Sequence, residues 1–346
     1  MANLTHANRE LFKRPPDECF ASLADLSAHC QATKDRSRRV KEVSTEFRPV
    51  LHEWRMALKV NGNAPCFMND WSFSQLCSIA GAAKDTVNRL SPETAVMVLN
   101  ETLRQRTRDD MDLQALIVDD SVVRAINGEQ YKRLWNADLV ATLQEFAVDF
   151  TPPQKGFNGS TGLYAGEQDM FAFMIDPAGW TEIGGEAFAP GFFVWNSEVG
   201  KRTIGISTFW FQAVCANHIV WDTIEVTEFT RKHTGRVRDS LTDIRAAIET
   251  LVQKRDQRKD GFAKVVAKAM EITYGQDSEE VEKLLAKTGF TKSLTAQAIQ
   301  IARQQGRFTI WSIVDALTQL ARESQFAGNR TEAEEKASAL LSLVAK

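Results

Sequence analysis

The stretch that decides the fold is FFVWNSEVGKRTIGIS, residues 192–207. Two runs rich in β-branched and aromatic residues flank a short polar connection, and this composition is typical of paired strands. Gly200 lies in the connection and can adopt the positive φ angle that a tight turn requires. The stretch therefore predicts a β-hairpin with strands at 192–196 and 203–207.

Further strands are predicted on both sides of this hairpin. Residues 169–175 read DMFAFMI, and residues 219–229 alternate β-branched or aromatic residues with polar ones. Periodicity does not decide whether residues 209–217 extend the second hairpin strand or form a short helix. Together these patterns predict an antiparallel sheet core over residues 151–235.

The region before the sheet, residues 1–150, is predicted to be mainly helical. Its apolar residues recur at helical spacing between Trp71 and Ala80. Ser91 before Pro92 is typical of a helix start, because serine caps the first turn and proline suits the first helical position.

Residues 236–346 are predicted to form a helical C-terminal region. Asp277 with Glu280, and Thr331 with Glu334, have the spacing of capping boxes at helix starts. We therefore predict an α+β fold, in which an antiparallel sheet (a hairpin plus further strands) is packed with helices and followed by helices. The first two regions are compatible with one domain.

The charge balance, the cysteine count and the lack of long apolar runs exclude several classes of protein. The 346-residue chain carries 42 lysines and arginines against 45 acidic residues, for a net charge of −3, which excludes an overall basic nucleic-acid coat. Five scattered cysteines argue against a disulfide framework. No apolar run is long enough to span a membrane, and no apolar signal segment begins the chain. We expect a cytoplasmic protein without a membrane partner.

No catalytic motif identifies an enzyme, because GxSxG, HExxH and P-loop patterns are all missing from the sequence. One alternative is a metal- or thiol-dependent hydrolase at Cys215, His218 and His233, although zinc usually requires a second close ligand pair. A second alternative is a non-catalytic, partner-binding protein that acts through its C-terminal helices. We assign no catalytic residue, metal or cofactor.

The positive charge is concentrated near the predicted sheet. Residues 201–268 contain 13 lysines and arginines against 8 acidic residues, a local balance of +5. Cations that follow phosphates and rings that stack on bases are the usual components of a single-strand-binding groove. The predicted phosphate contacts are Lys201, Arg202, Arg231, Lys232, Arg236 and Arg238. Trp195 and Trp210 are candidates for base stacking if their rings are exposed.

Six short segments follow one another in an order typical of a known family: FSQLC (73–77), LSPE (90–93), NSEVG (196–200), VCAN (214–217), KHT (232–234) and WSIVDALT (311–318). In these segments the chain resembles the phage/plasmid-like protein family, a domain of unknown function carried by phages, plasmids and bacteria. The chain departs from the family pattern at His218 and at Asp315, where asparagine is expected.

The resemblance implies a context, mobile-element DNA metabolism, rather than a chemistry. It also implies that the alternative, a non-catalytic partner-binding protein, would be one of a mobile element. The order of elements is also similar in outline to the single-strand annealing recombinases, which form rings around a basic groove; this is a likeness of fold only. We therefore expect a DNA-binding protein, with single-stranded DNA as the favoured partner, that acts in binding or annealing during recombination. A homo-oligomer or ring would suit that activity.

Overall fold

A computed structural model describes residues 10–106, 111–153, 162–213, 217–221 and 229–345. Helices account for 46% of the residues and strands for 25%. The antiparallel central sheet is packed with helices and followed by a helical C-terminal region, which confirms the α+β prediction.

The strands in chain order are β1 (Glu18–Cys19), β2 (Ser37–Val43), β3 (Phe47–His52), β4 (Arg55–Val60), β5 (Phe67–Met68), β6 (Asp112–Val118), β7 (Val122–Gly128), β8 (Leu163–Ala165), β9 (Met170–Ile175), β10 (Thr181–Ile183), β11 (Glu186–Asn196), β12 (Ile204–Gln212), β13 (Asn217–Ile219) and β14 (Phe229–Arg231). The helices are α1 (Leu23–Asp35), α2 (Asp70–Ala80), α3 (Lys84–Val87), α4 (Pro92–Arg106), α5 (Asn136–Phe146), α6 (Asp239–Gln253), α7 (Arg255–Glu271), α8 (Ser278–Lys287), α9 (Lys292–Gln304), α10 (Ile310–Ala321) and α11 (Ala327–Ser338).

The predicted hairpin is the centre of the main sheet. Strand order is β1-β8-β9-β11-β12-β13, with β10 added to β11 and β14 added to β12, and every pairing is antiparallel. Gly200 has φ 85°, as the turn requires. Residues after 207 extend the second strand as far as Gln212 rather than forming a helix. The predicted strand at 219–229 is described only at its two ends, since residues 222–228 lie outside the described residues.

The N-terminal region contains strands that the sequence interpretation missed. A four-stranded sheet of order β2-β6-β7-β5 packs with α2, and β3 and β4 form a separate hairpin that packs with α4. The helices at Asp70–Ala80 and Pro92–Arg106 are confirmed, and the Ser91 hydroxyl accepts the Thr94 N–H at the start of α4. A segment such as residues 37–43, SRRVKEV, is dominated by charged residues and lacks the apolar alternation that indicates a strand.

The C-terminal region confirms the N-cap of one predicted capping box and corrects the other. The Asp277 side chain accepts the Glu280 N–H at the start of α8. Thr331, by contrast, lies inside α11, where its hydroxyl donates to the Ala327 carbonyl. Glu334 is fully buried and binds Arg330 instead of a helix end. The spacing was right for a cap, but the carboxylate serves a buried ion pair.

Both faces of the main sheet are buried. On one face, Phe192, Val194 and Ile206 pack against apolar residues of α1, α5 and α6. On the other, a cluster of aromatic rings includes Phe173 and Phe193. Burial of these rings removes apolar area from water and stabilises the fold. The aromatic strands are therefore mostly core.

Four of the five cysteines lie among the described residues. Cys19, Cys30, Cys66 and Cys77 are free, and burial raises the pKa of Cys30 and of Cys77 to about 12, so these two thiols are inert at neutral pH. In the portion of the chain that is described, no helix has the length and apolar character needed to cross a membrane.

Candidate nucleic-acid interface

The connection between β11 and β12 is docked against the N-terminal sheet rather than projecting into solvent. Glu198 is 2% exposed, and its carboxylate pairs with Arg124 at 3.0 Å and accepts the Asn136 N–H at 2.8 Å. The Glu198 carbonyl accepts the Arg133 Nε–H at 2.7 Å. A carboxylate this deeply buried needs such partners, because an unpaired charge would be costly.

Val199 completes the docking. Its side chain packs with Leu116 and Ala125, and its carbonyl accepts hydrogen bonds from Trp71 Nε1 at 2.9 Å, from Gln75 at 3.0 Å and from Asn127 at 3.2 Å. The NSEVG segment is thus a structural plug that joins the central sheet to the N-terminal sheet.

An open cleft of about 520 Å³ lies beside this plug. It is lined by residues 127–131 at the end of β7, residues 200–203 of the β11–β12 connection, and residues 232–234 after β14. Gly200 is required at this place, because a Cβ atom there would lie 2.8 Å from Asn127 Nδ2. Three segments far apart in the sequence therefore form one surface.

Two stacked rings lie in the lining of the cleft. Tyr131 and His233 have ring centroids 5.1 Å apart at 26°, and the Tyr131 hydroxyl donates to the Ser197 carbonyl at 2.7 Å. His233 Nδ1 donates to the Lys132 carbonyl at 3.3 Å, so Nε2 is the unprotonated nitrogen in the neutral ring. Burial lowers the pKa of His233 to about 4, which keeps the ring neutral at pH 7.

A half-buried cation, Arg133, lies beside the Tyr131 ring. The Arg133 guanidinium is 5.5 Å from the Tyr131 ring centroid and 5.6 Å from that of Trp135. Burial lowers the pKa of Arg133 to about 10, so the side chain is still charged at neutral pH. One acid, Glu129, also lines the cleft, and its carboxylate forms an exposed ion pair with Lys41 at 2.5 Å.

The six predicted phosphate contacts separate into two groups. Arg202 binds Asp169 and Glu332, both at 2.7 Å, and Arg231 binds Asp243, so these two arginines already have carboxylate partners. Within the described ranges, no carboxylate lies within ion-pair distance of the other four, which are exposed: Lys201, Lys232, Arg236 and Arg238. Lys201 and Lys232 line the cleft with Arg202, whereas Arg236 and Arg238 lie in the turn before α6.

The structure corrects one of the two proposed stacking residues. Trp210 is fully buried, with its ring stacked on Phe262 at 4.1 Å, so it cannot meet a base. Trp195 is half-buried, and its indole N–H donates to the Thr203 hydroxyl at 3.4 Å. The sequence could not exclude Trp210 as a stacking residue, because it does not reveal that both faces of β12 are covered by other elements.

The alternative thiol or metal site is not assembled among the described residues. Cys215 lies outside them. His218 is buried against Phe173, with centroids 4.1 Å apart, and its Nδ1 donates to Glu334 at 3.2 Å, whereas His233 lies in the cleft. No group of three metal-ligating side chains occurs in the part of the chain that is described. Burial lowers the pKa of His218 despite the nearby Glu334 carboxylate.

Sequence reasoning missed the contribution of the N-terminal region to the cleft. Asn127 and Tyr131 precede the predicted sheet and were assigned no role. The triplet Tyr131-Lys132-Arg133 could have indicated this part of the cleft from the sequence, because it combines an aromatic residue with two cations. Only the docking of the NSEVG plug brings this triplet beside Lys201.

We compared the chain with protein-family models, with curated proteins and with solved structures, and found no match. The resemblance to the phage/plasmid-like protein family therefore stays a prediction.

Proposed function

We propose that the protein binds single-stranded nucleic acid, with DNA favoured, in the cleft between the end of β7 and the β11–β12 connection. The observation that carries the proposal is the convergence of Lys201 and Lys232 on this cleft. They come from segments 31 residues apart, and neither has a carboxylate partner in the described ranges. Cations without local partners are the groups that release counterions when they contact phosphates.

The lining of the cleft supports a nucleic-acid strand over a single small anion. The cleft is open and about 520 Å³ in volume, and it contains rings as well as cations. Arg236 and Arg238 follow the His233 turn directly and add exposed positive charge beyond it. A positive groove with aromatic rings is typical of proteins that bind single strands without reading their sequence.

Annealing of complementary strands is the activity that we propose for this surface. It agrees with the resemblance to a family of phages and plasmids, and it needs no catalytic residue, metal or cofactor. The first test is fluorescence anisotropy with labelled oligo(dT), oligo(U) and duplex DNA at two salt concentrations.

We expect salt-sensitive binding that is tighter for single strands than for duplex. An annealing assay with two complementary oligonucleotides then distinguishes simple binding from strand pairing. The absence of salt-sensitive binding to every probe would overturn the proposal.

A further inference from the structure

The β3–β4 hairpin presents a second surface that the cleft does not include. Its inner face is core, with Phe47, Met56 and Leu58 buried. Its two-residue turn holds Glu53 and Trp54, and Trp54 is 83% exposed. We propose that this hairpin is a second contact for single-stranded nucleic acid, in which Trp54 stacks on a base; this inference rests on the proposed function.

The turn favours glycine, yet it contains none. Glu53 has φ 49° and Trp54 has φ 62°, so both central residues are in the left-handed region. Two-residue turns of this type prefer Asn-Gly or Asp-Gly, and a large side chain at positive φ costs free energy. Trp54 therefore does not stabilise the fold, because its side chain is not buried and its backbone is strained. This points to a role in binding rather than in folding.

The outer face of the hairpin is cationic. Arg48 is directly opposite Lys59, and His52 is directly opposite Arg55, so all four side chains share one face. Arg48 and Lys59 are opposed cations on neighbouring strands, and such cations repel one another; the His52 ring is charged only when it is protonated. Glu46 is 3.8 Å from Arg48 and Glu53 is 3.9 Å from His52, at the outer limit of ion pairing.

Arg55 and Lys59 have no carboxylate within ion-pair distance among the described residues. The guanidinium of Arg55 is 4.3 Å from the Phe67 ring centroid, at the turn end of the hairpin. The two opposed pairs are about 13 Å apart along the strands, from four residue steps of about 3.3 Å. Positive charge spread over this distance suits a polyanion better than one isolated anion.

A single strand is the polyanion that also offers ring faces. Bases in a duplex are covered by their neighbours, whereas an unpaired base can stack on an exposed indole. The apolar area at the tip is small, since Leu51 is the other exposed large apolar side chain of the hairpin, at 41%. This favours stacking on one base over insertion into a lipid surface.

In this proposal one nucleic-acid strand contacts both the hairpin and the cleft, and β7 runs between the two. Phe67, beneath Arg55, pairs with Val122 at the start of β7, and Gly128 at the end of β7 lines the cleft. Six residue steps of about 3.3 Å separate these two positions by about 20 Å. An oligonucleotide of about 16 nucleotides, at the upper end of known site sizes, is therefore the appropriate probe.

The test compares Trp54→Gly with the full-length parent and with Val148→Ala, which truncates another exposed apolar side chain. Dissociation constants for labelled oligo(dT) are measured by anisotropy, and melting temperatures are measured on the same samples. We expect Trp54→Gly to weaken binding roughly 5- to 150-fold, the range for loss of one stacked base. We also expect it to melt at the same or a higher temperature, because glycine relieves the positive φ strain.

The outcomes separate the two proposals. Unchanged binding by Trp54→Gly, with the parent still binding, overturns the hairpin and leaves the cleft proposal standing. Loss of binding in Trp54→Gly with no loss in a Lys201→Ala/Lys232→Ala variant supports the hairpin and overturns the cleft. No binding by the parent overturns both. If Trp54→Gly instead loses co-sedimentation with phosphatidylserine vesicles and keeps oligo(dT) affinity, the partner is a membrane surface and the inference is wrong.

Discussion

Replacing Lys201 and Lys232 together with alanine should weaken the salt dependence of single-strand binding. Both lysines are exposed and unpaired among the described residues, so their removal leaves no buried charge without a partner. Lys201 loses a contact with the Trp71 ring, whose centroid is 5.1 Å from Nζ, and we expect this to cost at most about 1 kcal/mol of stability.

The magnitude follows from counterion release. Each phosphate contact to a single strand contributes about 0.7 to the slope of log affinity against log salt, so four unpaired cations give about −3 and two give about −1.4. Between about 50 and 200 mM salt, parental affinity should fall about 50-fold and that of the double variant only about 7-fold.

Anisotropy titrations with oligo(dT) across this salt range measure both slopes. The matched control is Lys287→Ala/Lys292→Ala, which removes two exposed lysines of the C-terminal helices. The control should retain the parental slope. Equal slopes for the parent and the Lys201/Lys232 variant would refute the assignment of the cleft lysines to phosphates.

Three further predictions concern the stability of the folded protein. Gly200→Ala should destabilise the protein by about 1–3 kcal/mol in denaturant unfolding, because alanine is strained at φ 85° and meets Asn127; unchanged stability would contradict the observed turn. Glu334→Ala should cost about 3–5 kcal/mol, since it leaves Arg330 buried without its carboxylate partner at 2.8 Å, whereas Glu334→Gln should cost less. His233 has a pKa of about 4 in the fold against 6.5 in the unfolded chain, so the unfolded state binds more protons between these values. Stability should therefore be full above pH 6.5 and fall by up to about 3 kcal/mol as pH drops to 4, and His233→Gln should flatten this dependence; parallel curves would contradict it.

The sequence predicted the main sheet because its local signals agreed with one another. Alternation, β-branched content and Gly200 all indicate the β11–β12 hairpin, and the structure has strands at Glu186–Asn196 and Ile204–Gln212. The N-terminal strands carried no such signal. In β2 the sequence SRRVKEV is dominated by charge, and only pairing with β6 makes it a strand.

The candidate site was predicted in part. Clustering in the sequence located the cations, but it could not show which of them already have partners. Arg202 binds Asp169 across 33 residues and Glu332 across 130, and such contacts depend on the complete fold. The place of Tyr131 in the cleft and the burial of Trp210 against Phe262 also depend on contacts between elements that are distant in the sequence.

Photo-crosslinking of a 4-thiothymidine oligonucleotide to the full-length protein, with the crosslinked peptides mapped by mass spectrometry, tests the single-strand-binding cleft most directly. We predict crosslinks within residues 127–131, 200–203 or 232–234, reduced by high salt and by unlabelled oligo(dT). Crosslinks confined to the helices from Ser278 to Ala321, or none under conditions where a control single-strand-binding protein reacts, would contradict a nucleic-acid-binding role for the cleft.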